Sequence, residues 1–174
     1  MKRTVRLTLS SMFLAIGQVL PFVTGQIPQI GKMLCPMHFP ILLCGFLCGP
    51  RYGAIVGFIC PLLRSVLFHM PVMYPSAIGM AFELMTYGFV SGLLSQKRRN
   101  DSYQSIYLTL IVSMITGRIV WGLAQIVLLG IKGNSFTWNA FITGALLNAI
   151  PGILLQLLII PFLVRMIQKR KNGM

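Results

Sequence analysis

The chain has 174 residues, of which 56% are hydrophobic and 10% charged, with 15 Lys and Arg against 2 Asp and Glu for a net charge of +13. A mean hydropathy of +0.80, with less than half the ~25% charged content of a typical soluble domain, excludes a water-soluble enzyme, and a disordered chain would need the opposite composition. The class that remains is an integral membrane protein built as a single domain, residues 1–174.

A helix crosses the bilayer core with about 20 apolar residues. The first apolar run, 5–22, has no small-residue cleavage site and ends in Pro21-Phe22-Val23-Thr24-Gly25, so it reads as a span and not as a signal peptide. Gly25, Pro28 and Gly31 then mark an irregular loop. A short second run, 36–48, stops at the turn Gly49-Pro50-Arg51-Tyr52-Gly53, and a third, 54–69, contains Pro61. Pro71 and Pro75 bracket a loop before the fourth run, 76–94. After the polar stretch Ser95-Gln96-Lys97-Arg98-Arg99-Asn100-Asp101-Ser102 comes the fifth, 106–131, then the turn Lys132-Gly133-Asn134-Ser135 and the sixth, 138–167, with kinks expected at Pro151 and Pro161. The pattern predicts an all-α membrane bundle of six transmembrane helices. The short second and third runs also allow one re-entrant hairpin with four full crossings; the Arg51 turn between them favours six.

The cations orient the bundle. Lys2, Arg3 and Arg6 precede span one, Arg51 joins two and three, Lys97, Arg98 and Arg99 join four and five, and Arg165, Lys169, Arg170 and Lys171 follow six. With six spans all of these fall on one side, and Lys32 and Lys132 fall on the other. The positive-inside rule then places both termini in the cytoplasm. The same placement, flanking apolar runs with no interleaved aromatics, argues against a nucleic-acid surface.

Arg64, Glu83 and Arg118 fall inside spans, where an ionisable group is costly unless paired or hydrated and so marks a functional candidate. From the outer ends Arg64 lies about 8 Å below His69, Glu83 about 10 Å below Ser76, and Arg118 about 18 Å below Lys132, at 1.5 Å per residue. Two buried arginines face one buried acid, so one cation is surplus; it either meets backbone carbonyls or receives an anionic ligand group through paired hydrogen bonds. Arg118, Trp121 and Gln125 share one face of span five, Glu83 and Tyr87 share one face of span four, and Asn148 on span six sits about 15 Å deep. Guanidinium, indole and amide groups converging in the outer half suit a pocket for a small polar molecule, whereas a pore would need a polar stripe along whole helices.

Other constellations are weaker. Cys35, His38 and His69 match no zinc spacing, so no metal is expected. Cys44 and Cys48 share a helix face and read as packing residues. Two acids in all leave no catalytic site, no cofactor is implied, and no GxxxxGK[ST] binds ATP. Ser11 and Ala15 on span one form a small-xxx-small pair, as do Gly45 with Gly49 and Gly53 with Gly57, which allows helices to approach closely.

Ser11-Met12-Phe13-Leu14-Ala15 resembles an alanine-type first-helix motif, with Ser in place of the first Ala. The stretch Phe39 to Gly57, an apolar helix, a Gly-Pro-x-x-Gly turn and a Gly-containing third helix, is similar to the substrate-binding S components of energy-coupling factor (ECF) transporters. The loop 23–35 resembles the family's lid loop. The resemblance implies capture of a vitamin or related micronutrient and docking through the first-helix face, here Ser11 and Ala15. The docking partners it implies are a transmembrane coupling subunit and, through it, two cytoplasmic ATPase subunits in a bacterial cell membrane. It also implies a pocket in the outer halves of the later helices, and the substrate-binding candidates there are Arg118, Trp121, Gln125, Glu83, Tyr87, Asn148 and Arg64. The surplus arginine leans toward a carboxylate-bearing substrate such as pantothenate or niacin. Two other classes compete: a small membrane assembly protein with no ligand, and a self-sufficient secondary carrier. The second would favour an inverted repeat and proton-relay acids.

Overall fold

The computed structural model describes residues 2–23, 35–97, 102–131 and 150–172. Asn148, Lys32, Lys132, most of the loop 23–35 and the first part of the sixth run lie outside them. The described residues form six α-helices: α1 (Arg3–Val23), α2 (His38–Cys48), α3 (Pro50–Phe68), α4 (Ile78–Lys97), α5 (Tyr103–Ile131) and α6 (Ile150–Asn172), with a wide turn at Met73–Ala77 before α4. No strand occurs among them.

Five of these helices are long and apolar enough to cross a membrane. The exception is α2. Its 11 residues rise about 16 Å, roughly half of a ~30 Å hydrocarbon core. It is also the most enclosed: Pro40, Ile41, Leu42, Cys44, Gly45, Phe46 and Cys48 are all buried. A helix apolar all round belongs in the middle of a bundle, and α2 lies against α1, α3, α4 and α6. Its first residue, His38, therefore sits at mid-depth when its last turn is at the bundle's end.

That end is the cation-rich one. Gly49 makes the turn from α2 to α3 with φ 98°, a conformation that glycine adopts without cost, and Pro50 starts α3 where its missing N–H is harmless. Beside the turn lies the last part of α4: the Ser95 hydroxyl donates to the Phe46 carbonyl at 3.5 Å. The Arg165 guanidinium of α6 stacks 3.8 Å from the ring centre of Tyr103, the first residue of α5. Arg51, Lys97 and Arg165 thus come to one end, as the charge pattern predicts.

The tightest packing joins α3 to α4. A Cβ at Gly53 would sit 2.5 Å from the Gly88 carbonyl oxygen, and one at Gly57 would strike the Leu84 carbonyl. A Cβ at Gly88 would in turn strike the Gly53 carbonyl. Small residues let backbones touch where lipid gives no hydrophobic drive to associate. On α6, Gln156, Ile160 and Val164, spaced i, i+4, i+8, are buried and fix its inward face. Outward-facing side chains such as Val19, Leu158 and Phe162 are exposed to lipid.

Gly88→Ala should lower stability by about 1–3 kcal/mol, the usual cost of overpacking. Gly130, whose Cβ would meet nothing within 4 Å, is the control: Gly130→Ala should leave stability unchanged or raise it by up to about 1 kcal/mol. Thermal unfolding in detergent compares the two, and equal melting temperatures would contradict the seam.

Candidate functional site

Glu83 and Tyr87 stand one turn apart on α4, and the Tyr87 hydroxyl donates to Glu83 Oε1 at 3.0 Å. From α5 the Arg118 guanidinium brings Nη1 to 3.0 Å from the same oxygen. From the start of α2 His38 Nε2 lies 3.5 Å away, in electrostatic contact but not aligned as a hydrogen bond. The His38 ring also packs on Tyr87, with centres 5.2 Å apart. Cys35, just before α2, holds its sulfur 3.9 Å from Arg118 Nη2. Glu83 is 2% exposed, Tyr87 1% and His38 3%, so three helices bury one carboxylate completely.

Glycines open the space for this cluster. A Cβ at Gly117 would fall on the Tyr87 ring, so only glycine lets that ring lie flat against α5. A Cβ at Gly79 would stand 2.7 Å from Gln125 Nε2 and 3.7 Å from Trp121 Cδ1. The seam between α4 and α5 therefore carries Tyr87, Glu83 and Arg118, then Trp121 and Gln125 one and two turns further along. Glu83 lies 14 residues before Lys97 and Arg118 15 residues after Tyr103, placing both about 21–22 Å from the cation-rich end.

The arrangement also identifies which arginine pairs with the acid. Arg118 holds Glu83. Arg64, on α3, is elsewhere: its Nη1 donates to the Gln18 carbonyl of α1, and its guanidinium lies 5.0 Å and 5.1 Å from the ring centres of Phe22 and Phe68. Gln18 completes a reciprocal strap, its Nε2 donating to the Cys60 carbonyl of α3 at 2.9 Å. The surplus cation is thus met by a carbonyl and two aromatic faces, a sound arrangement for a charge without a counterion.

Around Glu83 the charges balance, but the hydrogen bonds do not. Arg118 Nε and His38 Nδ1 are buried and have no hydrogen-bond partner among the described residues. Such an orphan costs about 1–3 kcal/mol. A guanidinium has more than one donor edge. Glu83 occupies the Nη1 side, and among the described residues the Nη2 atom on the other side meets the Cys35 thiol at 3.9 Å.

Sequence reasoning brought Glu83, Tyr87, Arg118, Trp121 and Gln125 to one seam; Arg64 is not part of it, and Asn148 lies outside the described residues. It did not connect His38 or Cys35 to the acid. The signal was present in position alone, since a short helix beginning at His38 must start at mid-depth. Gln18 and the buried Gln156 were also overlooked, although each is a polar residue in an otherwise apolar span. Ser11 and Ala15 are exposed on α1, whereas Gly45, Gly53 and Gly57 are spent on internal packing.

No curated protein and no solved structure matches the chain significantly. A family model described as ECF transporter, substrate-specific component, matches residues 5–164. The match takes in both buried polar clusters and the short central helix. The chain belongs to the family of substrate-specific components of ECF transporters.

Proposed function

We propose that this capture component binds a vitamin-class micronutrient bearing a carboxylate, of the pantothenate or niacin type, with Arg118 receiving the carboxylate. The supporting observation is the buried, unpartnered Nε of Arg118. A ligand carboxylate would bond Nε and Nη2 together, a geometry that lysine cannot offer. His38 Nδ1 adds a second buried polar atom without a partner among the described residues. Trp121 supplies a flat apolar wall and Gln125 an amide, and Glu83 and Tyr87 hold Arg118 at a fixed angle. Arg64 acts at a distance, by fastening α1 to α3 beside the mouth, and Asn148 would contribute from the sixth span.

The cation-rich end faces the cytoplasm of a bacterial cell by the positive-inside rule, so the seam opens outward. Release and energy come from elsewhere: a transmembrane coupling subunit with two cytoplasmic ATPase subunits, docked on α1 at Ser11 and Ala15. The chain itself is a transporter subunit and not an enzyme.

The charged pair is tested best by a double substitution, because losing one partner strands a buried charge at a cost of about 3–5 kcal/mol. Glu83→Gln with Arg118→Gln keeps a polar pair and should melt close to wild type. It should bind pantothenate or nicotinate at least about tenfold more weakly, the value of one charged hydrogen bond, as titrated in detergent. Mass spectrometry of small molecules retained by the wild-type protein gives the complementary readout. Retention of only neutral or cationic compounds, or undiminished binding by a folded double variant, would refute the assignment.

Docking is tested apart from binding. Ala15→Trp should abolish co-purification with the coupling subunit while leaving ligand titration unchanged. Intact co-purification would remove this face from the interface.

A further inference from the structure

The buried cluster is electrically balanced before any anion enters it. Glu83 carries one negative charge and Arg118 one positive, with 3.0 Å between their nearest atoms. A ligand carboxylate on Arg118 would bring the sum to minus one. Glu83 is buried inside a bundle that lies in lipid, so neither water nor lipid answers the excess. A second positive charge has to come from a group that faces the acid.

The candidates can be counted element by element. From α4 come Glu83 and Tyr87, from α5 Arg118, and from just before α2 the Cys35 thiol. On α3, Cys60 and Arg64 are engaged by Gln18 of α1, and Arg51 and Tyr52 lie at the cation-rich end. α1 has no titratable side chain from Leu7 to Val23, and α6 has none from Ile150 to Val164. On α2 itself Cys44 and Cys48 stand about 9 and 15 Å further along from His38. Thiols and phenols can only gain negative charge, and the guanidinium is already charged. Protonating Glu83 would weaken its contacts with both Arg118 and Tyr87.

His38 remains. Its Nε2 lies 3.5 Å from the oxygen that Arg118 and Tyr87 also hold. Both of its ring nitrogens are buried and have no hydrogen-bond partner among the described residues. An imidazole changes charge between pH 5 and 8, and once protonated it donates from both nitrogens.

On the reading that Arg118 receives a ligand carboxylate, we infer that the site binds its anion together with one proton, taken from solvent by His38. The imidazolium then faces Glu83 through Nε2 and holds Nδ1–H as a second donor within the same cluster. Glu83 and the ligand balance Arg118 and His38. The complex holds one proton more than the free protein, so acid favours binding and capture tightens as the outer medium is acidified.

The test is calorimetric titration of the intact protein in detergent with pantothenate and with nicotinate, in buffers of different ionisation enthalpy near pH 7.5, where carboxylates stay ionised. Wild type should take up about one proton per ligand, and its affinity should rise about tenfold from pH 8 to pH 7. His38→Gln keeps a polar side chain but cannot become charged. It should bind with no proton uptake and with an affinity that is flat over the same range, whereas a merely structural role would weaken binding equally at every pH. If that variant melts well below wild type, the wild-type proton count decides alone. Binding by wild type without proton uptake overturns the inference and leaves the carboxylate reading standing. Proton uptake that persists in folded His38→Gln also overturns it, because another group would then carry the proton. Failure of both anions to bind refutes the carboxylate reading, and the inference falls with it.

Discussion

A carboxylate at the centre of a lipid-embedded bundle has to be neutralised by whatever the fold brings within reach, because neither water nor lipid will do it. Glu83 is one of two acids in the whole chain, and three helices are arranged around it. Arg118 of α5 supplies the countercharge, Tyr87 of α4 a hydroxyl, and His38 of α2 an imidazole. This contact brings the first residue of a half-length helix to the middle of the structure. It also leaves Arg64 without a carboxylate, and α1 and α3 answer that second charge with a carbonyl and two rings.

The polar cluster is held in register by close backbone contact and not by polar bonds alone. Gly53 and Gly57 of α3 face Leu84 and Gly88 of α4, so the helix that carries Glu83 and Tyr87 is fixed in height against its neighbour. Gly117 and Gly79 repeat the device on the α5 side, one admitting the Tyr87 ring and the other the Gln125 amide and Trp121 indole. Small residues in this chain therefore act in two ways. Those turned inward bring helices together around the site, and Ser11 and Ala15, turned outward, leave a shallow face on α1.

Hydropathy and charge made the bundle legible. The five long helices and the gathering of cations at one end follow from apolar run lengths and from where Lys and Arg interrupt them. Spacing on a single helix was equally readable, which is why Glu83 with Tyr87 and Arg118 with Trp121 and Gln125 fall on shared faces. Contacts between helices were not readable. Nothing in the order of residues decides whether Glu83 meets Arg64 or Arg118, since the choice depends on which glycines let which helices close up. His38 shows the same limit: its one-dimensional neighbours are apolar, and only the shortness of α2 brings it level with Glu83. Family resemblance supplied the class of function where composition alone left an assembly protein and a secondary carrier open, and the family match decides among them.

The first helix shows how one element can meet several partners without conflict. Its inward side is fastened to α3 near one end, where Gly17 presses on the Cys60 sulfur and Gln18 exchanges hydrogen bonds with Cys60 and Arg64. Toward the cation-rich end its support is lighter, through Leu9, Phe13 and Leu14 against the core, while Val5, Leu7 and Met12 remain exposed. A helix pinned at one end and lightly packed at the other can present different flanks to different neighbours. The Ser11–Ala15 flank is exposed and small enough for another helix to approach, and the Phe13–Ile16–Leu20 flank lines an apolar groove with α2 and α6. About 150° around the helix axis separates the two flanks.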